Sequence, residues 1–439
     1  MAFKAIPVDS SSVSGSHSDF PVYIKPSAMT GWGALTLAEA QSIRFYSDEA
    51  KTTELAREVV DGSPDEIWVK VPSLTTSTTI YADYDGVRSD YAVGATYGRN
   101  AVWVDYGGVW HLGETSGLAI DSSGKNNGTF DGTLPDSRTG KISNGQNFNG
   151  SSDKVQFVKS ASLNPQEHTK QVWVRTSSSG SQQILLGLSG SSGGYVTAGI
   201  TSTGLPFSNN GTNLRPTPIA STPVNDNEWH KVSGFYNGSF RGVYVDGVEE
   251  VSLEGTGSVT YASTANPAIG RFSSEQPVPD WFTGDLDEVR LRSDGVSENW
   301  ELTEYNNQND VASFWGTVTD VGPAPSVTTN ATDQITDTTA RFNGNVTDDG
   351  GATITERGFV YSTSPNPTLS DSNVQVSGTT GAYNVTETGL TPETTYYVRA
   401  YAINSEGTSY GDDDSFTTLS SVSLPTVITL PVTNIQETP

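Results

Sequence analysis

Four stretches decide the architecture of this chain: WHLGETSG (110–117), EWHKVSGFYNG (228–238), RGVYVDGVEEV (241–251) and GDLDEVRLRS (284–293). In the third, Asp246-Gly247 sits between two alternating runs. That dipeptide suits a type I′ turn, in which both central residues need positive φ, so an antiparallel hairpin is expected there. Trp173, Trp229 and Tyr244 fall within strand-like segments and are expected in a core between two sheets. Leu286 and Val289 flank charged Asp287 and Glu288 in a last strand that should close a sandwich.

Composition agrees with short strands. The 439 residues suit two to four domains, and 34% hydrophobic content with 45 Gly favours many turns over helix bundles. There is no cysteine, so disulfides and thiolate metal sites are excluded. The 50 acidic and 24 basic residues leave a formal charge of −26, which repels nucleic acid and favours solubility. Calcium binding and a saline habitat are the sharper readings of that acidity. The longest apolar run, ILLGL (184–188), is far too short to insert in a membrane. The first residues, MAFKAIPVDSSSVSGSHSDFPVYI, lack the charged, apolar and small-residue regions of a secretory signal.

Along the chain, residues 1–100 read as a small β-sandwich module, with runs PVYIK, IRFYS, EIWVKV and TTIYADY. In EIWVKV, Ile67, Val69 and Val71 face one way and Trp68 and Lys70 the other. Residues 101–318 form the second module. It ends in SENWELTEYNNQNDVASF (297–314), the best helix candidate, with Ser297 as its cap and Trp300, Glu304 and Asn307 at helical spacing. A Pro/Ala/Gly linker, VGPAPS (321–326), opens a third module at 322–419. PTVITLPVTNIQETP (425–439) aligns on PSVTTNATDQITDTT (325–339) at an offset of 100 residues, so residues 420–439 are expected to be a linker or the start of a further repeat.

Residues 101–318 resemble a laminin-G-like, concanavalin-A-like domain, on the four stretches above with DSSGKNNGTFDGTL (121–134), GQNFNGSSDKVQF (145–157) and QVWVRTSS (171–178). The first module resembles a family of unknown function that often precedes such domains, on SGSHSDFPVYI (14–24), IRFYSDEAKTTELAREV (43–59) and EIWVKVPSL (66–74). LTPETTYYVRAYAINSEGTSYG (390–411) resembles a fibronectin type III domain, with Leu390, Pro392, Thr394 and Tyr396 in its tyrosine-corner pattern. These resemblances imply an all-β chain of tandem β-sandwiches: a small sandwich, a concanavalin-A-like jelly roll and a fibronectin-like sandwich.

No catalytic residues are assigned. The four histidines accompany no GxSxG elbow, no HExxH and no close His pair, and Gly-rich SGSSGG (189–194) lacks a phosphate-loop ending. Neither VDGVEEVSLE (245–254) nor GDLDEVRL (284–291) fits the paired carboxylates of a glycoside hydrolase. The resemblance to concanavalin-A-like folds implies calcium, with Glu114, Asp121 and Asp287 as candidate ligands; ordinary turn and edge carboxylates are the other reading. A glycan ligand needs exposed aromatics beside polar loops, which selects Trp281, Phe282 and Tyr195, with core packing as the alternative. The reading that joins these features is a non-enzymatic virion protein of a tailed phage: a fibre, decoration or tail-tip component. It would pair with other virion proteins and copies of itself, and with a host-surface glycan. A cell-surface or secreted adhesin is the alternative, and a polysaccharide hydrolase a third reading.

Overall fold

The computed structural model is all-β apart from short helices, and it divides the chain into two units, residues 1–320 and 321–439. It describes residues 2–60, 63–191, 194–211, 216–261, 266–272, 280–350, 353–404, 406–421 and 428. The expected further repeat at 420–439 therefore lies almost wholly outside the described residues. Among the described residues, no helix is long and apolar enough to cross a membrane.

The larger sandwich of the first unit has two antiparallel sheets. One runs in the order Pro206–Asn210, Gly194–Ile200, Gln183–Ser191, Ala268–Ile269, Lys154–Gln156, Gly128–Asp131, Leu118–Ala119. The other runs Ser137–Thr139, Asn144–Asn149, Thr283–Arg292, His168–Arg175, Trp229–Tyr236, Phe240–Val245, Val248–Glu254, with Tyr106–Trp110 also paired to Thr283–Arg292. The hairpin turn takes its expected form: Asp246 and Gly247 have φ of 51° and 81°. Alternation sends Val172, Val174, Val232, Val243, Val245, Leu286, Val289 and Leu291 into the core between the sheets.

The residues between them face outward, and this corrects the expectation for the large aromatics. Trp173 and Tyr244 are buried, but on the outer face of the second sheet, and Trp229 is partly exposed with the Arg175 guanidinium 5.0 Å from its ring centre. Alternation tells which residues share a face; here the β-branched valines take the inner one.

The outer face is covered by the helix Glu298–Asn309. Ser297 caps it, accepting from the Trp300 N–H at 3.3 Å. The helix carries almost no aliphatic residues, yet Trp300, Glu301, Thr303, Glu304, Asn307 and Gln308 are all buried. On the sandwich side Lys231 Nζ donates to Glu301 at 2.6 Å and Glu304 at 2.9 Å, Arg290 Nη1 donates to Glu304 at 2.8 Å, and Trp173 Nε1 donates to Gln308 at 2.6 Å. Burial opposes ionisation of Glu304, but Lys231 and Arg290 hold its carboxyl below the usual range.

The opposite side of the same helix meets the N-terminal module. That module packs a sheet of Ala2–Pro7, Thr79–Tyr84, Arg44–Tyr46, Glu54–Leu55 and Thr319–Asp320 against a sheet of His17–Ile24, Ile67–Leu74 and Arg57–Val59. Asn307 accepts from the Tyr23 N–H at 2.6 Å and donates to the Tyr23 carbonyl at 3.0 Å, imitating a strand neighbour. Trp300 lies 4.5 Å from the Phe20 ring, and Phe314, Trp315 and Val318 complete the module's core. Ile67, Val69 and Val71 join that core while Trp68 turns to the seam between the modules, packing with Tyr23, Trp103 and Tyr106. The chain thus leaves the first module, builds the sandwich and returns to finish the first module.

The second unit is a sandwich of its own. Ser326–Asp333, Thr339–Asp348 and Gly381–Thr388 form one sheet; Ser372–Gln375, Glu356–Ser362, Thr395–Asn404, Gly407–Tyr410 and Asp414–Thr417 form the other. Phe342, Phe359, Tyr383, Val398, Ala400 and Phe416 share its core, and Tyr396 Oη accepts from the Thr391 N–H at 3.2 Å.

Between the sheets of the larger sandwich, Lys170 is fully buried, its Nζ donating to Thr197 O (3.2 Å), Asn209 O (3.0 Å) and Asn210 Oδ1 (2.9 Å). Burial drives its ammonium well below the ordinary value. His168, 2.9 Å from the same Asn210 oxygen, is pushed down to about 3 by burial and then by Lys170.

Three outcomes follow from this packing. Glu304→Ala leaves Lys231 and Arg290 short of a buried partner and is expected to cost about 3–5 kcal/mol, the range for a broken buried pair. Because the helix belongs to both modules, denaturant melts followed by tryptophan fluorescence should show them failing in one transition. For His168 the folded value lies below the ~6.5 of an unfolded chain. The unfolded state therefore holds the extra proton between these values. The His168 contribution to stability is complete above pH ~6.5 and falls on acidification, by up to ~1.4 kcal/mol per pH unit. His168→Gln is expected to flatten the melting temperature against pH between 4 and 6.5.

Candidate functional site

The helix covers only part of the outer face. Beyond its first turn, the outward residues of Trp229–Tyr236, Phe240–Val245 and Val248–Glu254 border a groove of about 320 Å³. Phe235 and Tyr244 line it, stacked with ring centres 4.8 Å apart, and the Tyr244 hydroxyl donates to Val296 O at 3.2 Å. Phe240 stands at its rim, 41% exposed. Asn237, Ser252, Glu249 and Glu298 supply polar groups. Asn237 Oδ1 accepts from the Ser239 and Phe240 N–H groups at 3.1 and 2.7 Å, which fixes the turn presenting Phe240. Glu298 Oε1 accepts from the Glu249 N–H at 3.2 Å, and burial, then the Glu298 charge, raises the Glu249 carboxyl. Phe235 and Tyr244 are each only 2% exposed, so the ring open to a sugar face is Phe240, with hydroxyl, amide and carboxylate groups around it to hydrogen-bond the sugar's edge.

A second constellation lies buried in the seam. His111 places Nδ1 2.6 Å from Glu288 Oε1 and Nε2 3.2 Å from Glu58 Oε2. Glu58 accepts in addition from Trp103 Nε1 and Ser122 Oγ, each at 2.6 Å, and Glu288 from Arg290 Nε at 3.1 Å. Trp68 stacks 6.0 Å from the His111 ring. Burial opposes its protonation, but Glu288 and Glu58 raise His111 well above its ordinary value. The same contacts hold Glu288 down to about 2 against its burial. Glu66, deprived of water and only partly offset by His111, is raised to about 7. Among the described residues, Glu66, His111 and Glu288 form a group whose ligand atoms lie within 4.8 Å of one another.

Of the residues chosen from sequence, Asp287 lies buried in the seam beside Glu288 and Glu114 borders a cavity with Glu58 and His111, while Phe282, Trp281 and Asp121 fall elsewhere. Phe282 is fully buried in the sandwich core, 6.0 Å from the Phe148 ring, so its face is closed to a sugar; this corrects the sequence reading, which could not tell which of two adjacent aromatics turns inward. Trp281 is partly exposed with the Arg271 guanidinium 4.3 Å from its ring centre. The Tyr195 side chain lies outside the described residues. Asp121 is caged by its own loop, accepting from the N–H groups of Val109 and Ser123 at 2.9 Å, Lys125 at 3.1 Å and Asn126 at 2.6 Å. Asp287 accepts from the Lys141 and Ile142 N–H groups at 2.7 and 2.9 Å, and Glu114 from the Ile120 N–H at 2.7 Å. The three are not gathered into a group of the kind that Glu66, His111 and Glu288 form. Nothing in the sequence marked Phe235 and Phe240 as groove residues. Asp287-Glu288, two charges in succession within a strand, was the one signal of the seam.

Residues 149–300 match the family model described as the concanavalin A-like lectin/glucanases superfamily. No curated protein matches the chain. Among solved structures, it is similar to domain 4 of AbnA, an extracellular arabinanase of Geobacillus stearothermophilus, in complex with arabinotriose. Identity there is 17%, over 46% of this chain and 98% of that one, with a TM-score of 0.37. A Trypanosoma rangeli sialidase is 12% identical over 48% of this chain and 34% of its own, with a TM-score of 0.36. The sialidase CBM40 of Ruminococcus gnavus, bound to sialyllactose, is 16% identical over 32% and 83%, with a TM-score of 0.28.

Proposed function

We propose that this chain is a non-enzymatic adhesion protein that holds a sugar residue of a surface glycan in the groove of Phe235, Phe240 and Tyr244. The groove carries the reading: it presents the exposed Phe240 ring beside hydrogen-bonding groups, within residues 149–300 that match the concanavalin A-like lectin/glucanases model. Glu249 and Glu298 border it, and the chain has a formal charge of −26, so neutral and amino sugars suit it better than sialic or uronic acids. The finer form of the proposal is a fibre or decoration component of a tailed-phage virion, supported by cysteine-free tandem β-modules. It is paired there with copies of itself and with other virion proteins. Antibody gold on particles, absent from uninfected cells, is its expected signature.

The absence of catalysis in this proposal draws support from how the carboxylates are engaged. A glycoside hydrolase needs two carboxyl groups flanking the scissile bond, roughly 5–9.5 Å apart. In the groove the Glu298 carboxylate is engaged by the Glu249 backbone N–H at 3.2 Å. Asp287 is held by two backbone amides and Glu288 by His111 and Arg290.

An array of neutral, amino and acidic glycans probed with the full chain tests the ligand. Neutral or amino sugars are expected to bind, with Phe240→Ala weakening them at least about tenfold, the worth of ~1.4 kcal/mol, and Trp281→Ala leaving them unchanged. Equal binding by Phe240→Ala would remove the groove from the proposal. Reducing-end release that Glu249→Gln abolishes would replace adhesion by hydrolysis.

A further inference from the structure

The seam buries more carboxylates than basic side chains, even with Arg99 counted at the border of the adjoining cavity. Glu58, Glu66, Asp287, Glu288, Glu301 and Glu304 are each at most 3% exposed, and they face Lys231, Arg290 and the His111 ring. Lys231 and Arg290 are engaged by Glu301, Glu304 and Glu288. His111 is left among Glu58, Glu66, Asp287 and one oxygen of Glu288, and buried carboxylates in excess call for a further positive charge or for protons.

The donor atoms around His111 are arranged as a ligand set. Glu66 comes from the N-terminal module, His111 and Glu288 from the sandwich, and one imidazole nitrogen with two carboxylate oxygens lie within 4.8 Å of one another. Both ring nitrogens already have carboxylate partners, Nδ1 with Glu288 at 2.6 Å and Nε2 with Glu58 at 3.2 Å, and Glu58 is itself fixed by Trp103 and Ser122. A carboxylate behind the distal nitrogen of a ligating histidine is the usual outer support of a metal site, setting tautomer and ring orientation. Glu288 has φ of 50°, in the left-handed region, where the ladder with His168–Arg175 shifts register between Gln171 and Trp173. That bulge turns both Asp287 and Glu288 toward the seam while Leu286 and Val289 stay in the core.

Independent of these contacts, Tyr23 is 2% exposed and its hydroxyl is buried without a hydrogen-bond partner. The carboxylates that act on it most strongly are Glu66 and then Glu288. A buried hydroxyl without a hydrogen-bond partner calls for an explanation, and a ligand atom in this part of the seam would supply one. A cavity of about 90 Å³ bordered by Glu58, Val60, Arg99, His111 and Ser122 adjoins it.

We propose that Glu66, His111 and Glu288 bind one divalent transition-metal ion of the zinc class, which staples the N-terminal module to the sandwich. The donor set selects the ion. Calcium takes six to eight oxygens and magnesium keeps its waters, whereas an imidazole with two carboxylates is a zinc-type set. The chain has no thiolates to draw softer ions. Because the ligands come from both modules, the ion acts where a disulfide would in a chain that had cysteines.

The test uses the full-length chain, stripped by chelator and titrated with Zn²⁺ against a chromophoric competitor, with Ca²⁺ in parallel. About one Zn²⁺ per chain is expected, with binding at least 100-fold weaker in Glu66→Gln and roughly 10–100-fold weaker in Glu58→Gln, as for outer-shell partners. Asp121→Asn should bind as the native chain does. Zn²⁺ should raise the melting temperature of the native chain and not that of Glu66→Gln. A native chain that is folded by circular dichroism yet takes up no stoichiometric Zn²⁺ would overturn the proposal. So would unchanged binding in Glu66→Gln, or a preference for Ca²⁺. Co²⁺ added to the native chain decides the matter without any variant: intense d–d bands of a low-coordinate ion support the site, and the weak spectrum of hydrated Co²⁺ overturns it.

Discussion

The whole first unit depends on a helix that has no apolar face. Glu298–Asn309 presents Glu301, Glu304 and Gln308 to the sandwich and Thr303 and Asn307 to the N-terminal module, and all five are buried. A 12-residue segment of this composition would not hold together in water, since helices below about 12–15 residues are marginal there even when rich in alanine. It exists because Lys231, Arg290, Gln171 and Trp173 receive it on one side and the backbone of Tyr23 receives it on the other. Neither module is complete without it.

A polar seam sets orientation more strictly than an apolar one. Two greasy faces slide over each other at little cost, whereas a register shift here would strand Lys231 or Arg290 away from Glu304 in a dry interior. Trp68 and Trp103 wall the cluster, with the Arg290 guanidinium 4.1 and 4.8 Å from their ring centres, which removes competing water.

How far the sequence could be read follows from the range of each signal. Local devices were legible: the Asp246-Gly247 turn, the Ser297 cap and the strand that carries Leu286 and Val289. Side-chain alternation was legible as well, but not its sign. Trp173 and Tyr244 share a face, yet only the distant helix, more than fifty residues along the chain from either, shows that this face points outward and is nonetheless buried. Phe282 beside Trp281 poses the same problem at one residue's resolution. The seam cluster was the least legible. Glu58, His111 and Glu288 meet across separations of 53 and 177 residues, and no periodicity encodes that meeting. What the sequence did carry was an oddity, two acids in succession inside a strand, which alternation alone cannot accommodate and a bulge can.

The helix also ties the groove to the seam. Its capping residue Ser297 and first residue Glu298 line the groove, while Gln308, in its last turn, holds Trp173 at the other end. Tyr244 is anchored through Val296, and Val296 belongs to the core of the N-terminal module. A sandwich lacking that module would keep Phe235 and Phe240 on its strands but lose the element that sets the far side of the groove. The ligand site is therefore a property of the two-module unit, and the polar helix connects the buried seam to the surface where recognition takes place.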